Sequence, residues 1–154
     1  MYLDKELNEL LVDTFNVILK SEEQSLRKNS KADLSVSEYH LIETIAKNGP
    51  STISGIAAAQ GITLPSVTIA IKKLEKKGYV EKIKSAEDAR SVSVELTEAG
   101  KKINEFHQRF HTHMISQITK NISDEEKELL YQVILKLNKY FNKALTVLRG
   151  NGKQ

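Results

Sequence analysis

The chain reads as a mainly α protein with one small β-hairpin wing, a winged helix-turn-helix carried between long N- and C-terminal helices. Three observations predict this. Proline occurs only at Pro50 and Pro65, and apolar residues elsewhere recur at three- and four-residue spacings, the period of a buried helical stripe. That rhythm breaks over Tyr79–Leu96, where β-branched and charged residues alternate as on a half-buried strand. Directly before the break stand two short helical segments, Thr52–Gln60 and Leu64–Lys77, joined at Gly61. In such a layout the second helix enters the major groove of double-stranded DNA and the hairpin reaches toward the backbone or minor groove.

Taken in order, the first helix spans about Asp4 to Arg27, with Leu7, Leu11, Phe15 and Ile18 as its apolar stripe and the polar run Lys28–Asp33 as its end. The second opens on Ser35-Val36-Ser37-Glu38, a capping-box spacing, and stops at Asn48-Gly49-Pro50, where glycine permits a left-handed cap and proline cannot continue. Thr52 is a good N-cap for the third helix, whose Ala57, Ala58 and Ala59 let another helix approach closely. Thr63 caps the fourth, and Pro65 is tolerated in its first turn. Gly78 stops it. The strands Tyr79–Lys84 and Ser91–Leu96 follow, and Thr97 caps a fifth helix that has Gly100 in its first turn. A last helix opens with a second capping box, Ser123-Asp124-Glu125-Glu126. Segment 1–34 is thus expected to serve dimerisation, 35–100 to bind DNA, and 101–154 to complete the dimer.

Composition narrows the function classes. A length of 154 residues suits one compact domain, or a small domain with an oligomerisation element, and 40% hydrophobic residues supply a core. With no cysteine, disulfides are excluded. No signal-type N-terminus and no long uncharged apolar run are present, so a soluble cytoplasmic protein with no membrane partner is expected. Net charge is only +3, but between Gly61 and Arg90 seven Lys or Arg face four acids. No Gly-framed serine, no cysteine and no phosphate-binding glycine loop occur, which argues against nucleophilic or nucleotide-dependent catalysis. A metal-dependent enzyme and a winged-helix protein-interaction module are the other classes the pattern admits.

The fourth helix is the candidate reader. At about 100° per residue, Val67, Ala70, Ile71 and Leu74 share one side, while Pro65, Thr68, Ile69, Lys72, Lys73 and Lys76 point broadly the other way. Ser66 and Thr68 can bond bases or phosphates, Ile69 can meet a thymine methyl, and the lysines neutralise phosphates. A lysine face is also what an ordinary solvated helix shows; the basic hairpin behind it, with Lys84, directs it to DNA. At the hairpin tip Asp88 and Arg90 sit two apart. Either they form an incidental ion pair, or Asp88 braces the tip while Arg90 touches DNA.

In the last helix Leu130, Ile134, Leu137, Phe141, Ala144 and Leu148 repeat at four and three, an a/d seam. Such a seam packs equally well within a chain or between chains. Long helices flanking a small core, and the prevalence of two-fold dimers, favour the second copy. A separate chemistry lies in His107 and His111, one helical turn apart, a spacing that suits two metal-ligand imidazoles. His40, Glu22 and Glu23 are candidates to join them as an effector pocket or a divalent metal site. The bland alternative is that these histidines border the dimer core and are satisfied by carboxylates or carbonyls.

The run Leu74-Glu75-Lys76-Lys77-Gly78-Tyr79-Val80, the wing motif Asp88-x-Arg90 and the closing Leu96-Thr97-x-x-Gly100 resemble the multiple-antibiotic-resistance regulator (MarR) family, and the likeness extends over nearly the whole chain. It implies a homodimeric transcription regulator, usually a repressor, that binds a short palindrome and often answers to a small ligand. The segments Glu22–Arg27, Ser37–His40 and His107–His111 look most like the fatty-acid-synthesis repressors of Gram-positive bacteria. That branch implies acyl-acyl carrier protein as corepressor. Zinc-responsive members are similar at the Glu and His positions. In the wing, Ala89 departs from the basic residue usual between Asp and Arg, which bears on how strongly the wing holds DNA.

Overall fold

A computed structural model describes residues 2–84 and 92–150. Six helices and three short strands follow one another: α1 (Tyr2–Asn29), α2 (Val36–Asn48), β1 (Ser51–Thr52), α3 (Ile53–Gln60), α4 (Leu64–Lys76), β2 (Val80–Lys84), β3 (Val92–Leu96), α5 (Glu98–Thr119) and α6 (Asp124–Gly150). They group into two compact units, Met1–Arg109 and Phe110–Gln154. No single helix among the described residues is long and apolar enough to cross a membrane.

In the first unit the core is that of a winged helix. Leu41, Ile42 and Ile45 of α2 meet Ile56 and Ala57 of α3, Val67, Ile71 and Leu74 of α4, and Val80, Val94 and Leu96 of the sheet. Burial of those apolar side chains is the main force holding the unit together, about 1.5–3 kcal/mol for each large one. The helix ends obey their caps. Ser35 and Glu38 form the full capping box, Thr52 accepts from the Gly55 amide, and Thr63 accepts from that of Ser66. Gly61, in the left-handed conformation, turns the chain between α3 and α4, which meet at 111°, within the 90–120° of a helix-turn-helix.

Several details differ from the sequence expectation: α1 runs from Tyr2 to Asn29, into the polar run expected to end it, and β2 begins at Val80, leaving Tyr79 outside the strand. Strand β1 pairs antiparallel with β3, Ser51 opposite Val94 and Thr52 opposite Ser93, so the hairpin is widened to a sheet in the order β1-β3-β2. Two residues are too few for an alternation to show, and Thr52 already reads as a cap. Gly49 takes φ 66° with ψ −160°, positive in φ but extended in ψ instead of left-handed helical. Helix α4 ends at Lys76, and Lys77 is its cap residue.

The role of Gly100 becomes clear from its neighbours. A Cβ there would collide with the carbonyl oxygen of Tyr79, at the mouth of the wing. Thr97 fastens the same junction: its hydroxyl donates to the Gly78 carbonyl at 2.7 Å and accepts from the Gly100 amide at 3.1 Å. The Leu96-Thr97-x-x-Gly100 motif therefore joins α5 to the end of α4.

In the second unit, Ser123 and Glu126 complete a reciprocal capping box at the start of α6. No described residue of α6 is buried, and Leu130, Ile134, Phe141 and Leu148 are among its exposed apolar side chains.

Candidate nucleic-acid interface and buried carboxylate-histidine cluster

Helix α4 divides as its periodicity requires. Val67, Ile71 and Leu74 are fully buried, whereas Thr63, Pro65, Ser66, Ile69, Lys72, Lys73 and Lys76 are exposed and Thr68 is half-buried. At its N-terminus the Thr63 and Ser66 hydroxyls bond each other at 2.8 Å, and the Thr68 hydroxyl donates to the Leu64 carbonyl at 2.9 Å. These side chains are therefore held in place before any ligand arrives. Lys84 is exposed at the end of β2. The wing-tip residues Asp88 and Arg90 lie outside the described residues.

Not every basic residue of this region faces outward for an anion. Lys77 reaches across to α2, where its ammonium donates to Glu38 at 2.9 Å and to the Asp33 carbonyl at 2.6 Å. Lys82 is paired with Glu75 at 2.8 Å. By contrast, Lys72, Lys73, Lys76 and Lys84 have no ion-pair partner among the described residues. Those four lysines are left exposed on α4 and β2, while Lys77 fastens α4 to the start of α2. Its counterion Glu38 is held below the ordinary glutamate range: burial raises it, but the Ser35 amide and Lys77 together outweigh that.

A second site lies inside the first unit, where α1, α2 and α5 converge. Glu22, 4% exposed, takes both Nε2 atoms of its histidine neighbours on a single oxygen: His40 at 3.0 Å and His107 at 2.7 Å. His107 is fully buried, and its Nδ1 lies 3.5 Å from a carboxylate oxygen of Glu43. Burial pushes the Glu22 carboxyl up, yet the hydrogen bonds from His107 and His40 and their charge bring it below its usual range. Glu43 is lowered likewise, burial being outweighed by Lys47, Gln108 and His107. Two ionised carboxylates beside one buried imidazole make a site whose donor set suits a metal cation.

Of the residues expected here, Glu22, His40 and His107 come together. His111 stands one turn further along α5, in the second unit. Glu23 does not join the group: its carboxylate is exposed, 3.9 Å from Arg27 on the same helix. Sequence reasoning missed Glu43, Tyr39 and Gln60. Tyr39 is buried with its ring 5.4 Å from that of His107, and its hydroxyl donates to Ser30. The amide of Gln60, the last residue of α3, donates to the His40 carbonyl at 2.9 Å and so ties the helix-turn-helix to the cluster. Glu43 was legible in retrospect, three residues after His40 and hence on the same helix face. Gln60 carried no local signal.

Nearby, a cleft of about 440 Å³ opens between the second half of α1 and the segment leading into α2. Leu19, Leu26, Leu34 and Val36 are its apolar lining, with Arg27 and Asp33 among the polar residues.

The pattern that defines the MarR family matches residues 34–92, which takes in α2 to the start of β3. Over most of its length the chain is similar to the uncharacterised HTH-type transcriptional regulator YfiV of Bacillus subtilis, 29% identical across 92% of this chain and 89% of that protein. It is 31% identical to the HTH-type transcriptional regulator SarZ of Staphylococcus haemolyticus, across 64% of this chain and 65% of that one. Among solved structures, FabT of Streptococcus pneumoniae, determined in complex with DNA, is 34% identical and superposes with a TM-score of 0.86, covering 91% of this chain and 98% of that one.

Proposed function

The chain belongs to the MarR family of DNA-binding transcription regulators, and from that premise we propose that it is a homodimeric repressor that binds a palindromic operator. One observation carries the reading. Helix α4 turns its apolar side into the winged-helix core, and four lysines of α4 and β2 with no ion-pair partner among the described residues stand outside, beside capped and hydrogen-bonded hydroxyls. Basic groups of this kind neutralise phosphates and release counterions, so affinity falls steeply with salt. The exposed apolar side chains of α1 and α6, Leu7 and Ile134 among them, supply the surface for a second copy. Arg90 at the wing tip is assigned to the backbone or minor groove, with Asp88 as its brace. Binding to duplex from the gene's own promoter, titrated against salt and against random duplex, tests the reading. Preference for the promoter supports it, and equal affinity for both overturns it.

The regulated function proposed is fatty-acid synthesis, with acyl-acyl carrier protein as corepressor. The likeness to FabT over nearly the whole chain favours this. A second reading rests on the cluster around Glu22, in which a divalent metal such as zinc is the effector. Glu22, His40 and His107 would hold it, and binding would release the protons now shared with Glu22. Native mass spectrometry of the purified protein separates the two. A bound acyl species supports the lipid reading, stoichiometric zinc supports the metal reading, and neither overturns both as resident ligands.

A further inference from the structure

The N-terminal half of α4 carries an inference about what the operator must contain, and it rests on the DNA-binding reading above. In a helix-turn-helix the first turns of the second helix meet the base edges. From Thr63 to Ile71 this chain presents no Arg, Lys, Asn, Gln, Asp or Glu. The polar pairings that single out guanine, adenine or cytosine in the major groove are therefore missing where they are needed. Its hydroxyls are also committed in part, Ser66 to Thr63 and Thr68 to the Leu64 carbonyl.

Apolar surface stands there instead. Ile69 is 58% exposed and Leu64 49% exposed, on a helix whose Val67 and Ile71 are fully buried. Measured around the helix at about 100° per residue, the row opposite the core is Pro65, Ile69, Lys72 and Lys76. Its first two members are apolar and its last two are cationic. The thymine C5-methyl is the one apolar mark that a base pair shows in the major groove. We infer that Ile69, with Pro65 one turn before it on the same face, reads thymine methyl groups, while Lys72 and Lys76 hold the phosphates beside them. Sequence selectivity then comes from the methyls, and the half-site carries thymine at the positions facing Ile69.

The test starts from duplexes enriched out of a random pool by the full-length protein. In the best of them, each thymine of a half-site is replaced by deoxyuridine, which deletes only the methyl, and each guanine by 7-deazaguanine, which deletes only the N7 acceptor. Uracil at one or two positions should weaken binding about fourfold each, the effect of leaving one methyl-sized group unburied. The same replacement should cost the Ile69→Ala variant almost nothing. Unchanged affinity on uracil replacement overturns the inference while leaving the regulator reading intact, and a loss confined to 7-deazaguanine assigns readout to lysine and guanine instead. Failure to enrich any duplex overturns both.

Discussion

The DNA-binding body and the last helix treat their apolar residues in opposite ways. Between α2 and β3, Ile42, Ile45, Val67, Ile71, Leu74 and Val94 are all withdrawn from water into a core that the body supplies itself. Helix α6 has an equally regular apolar stripe, and none of its described residues is buried. Helix α1 is intermediate, for along its length only Glu22 and Leu26 are buried. The same three-and-four periodicity thus means a finished core in one region and an unfinished surface in the other. An apolar stripe specifies that something must cover it, not what.

The sharpest way to break this contrast is at α6. Replacing Ile134 by Glu should convert a dimer to a monomer in sedimentation, and should lower operator affinity about a hundredfold or more, because the two half-sites are then bound independently. A dimer of unchanged mass would show that the seam is not the interface.

Next in size is the core. Ile71→Ala should cost about 2–5 kcal/mol in denaturant unfolding, through reduced burial and the cavity left behind. Ile69→Ala, two residues earlier but exposed, should cost under about 0.5 kcal/mol. Equal losses would mean that the two faces of α4 are not as distinct as their burial implies.

The cluster around Glu22 comes third. Glu22→Ala leaves His107 buried without its acceptor and should cost about 1–3 kcal/mol. Because the Glu22 carboxyl is held low in the folded state, its contribution is fully present above the ordinary glutamate value of about 4.3 and is lost as the pH falls through the lower folded value. The stabilities of the wild type and the variant should therefore converge in acid. A constant gap down to strongly acidic pH would place the stabilisation elsewhere.

The smallest effects distinguish lysines that are neighbours in sequence. Lys76→Ala should reduce the salt slope of DNA binding by about one, the share of a single phosphate. Lys77→Ala should leave that slope alone, since its ammonium is already held by Glu38 and the Asp33 carbonyl. If both variants change the slope alike, the tie to α2 does not survive on DNA.

Much of this was legible in the residues because it depends on neighbours along the chain. Caps at Ser35, Thr52, Thr63 and Ser123 are read from short spacings, and the buried side of α4 from its period. Gly100 is placed by its motif, although its reason, the Tyr79 carbonyl, comes from a segment many residues away. Strand β1 was invisible because its partner β3 is some forty residues distant and it has only two residues of its own.

For the site, residue type proposed and packing selected. Glu22 and Glu23 were indistinguishable as letters, and a rotation of about 100° between successive residues sent one into the protein and the other to solvent. Lys76 and Lys77 were separated in the same way. Local chemistry along the chain was enough for the fold class, the order of its elements and the face of α4 that meets water, since each follows from interactions within a few residues. Which carboxylate gathers His40 and His107, which lysine fastens α4 to α2, and that Gln60 joins the two sites all depend on segments brought together across long stretches of chain. Those bonds exist only once the helices have packed, because no periodicity encodes a partner on another element.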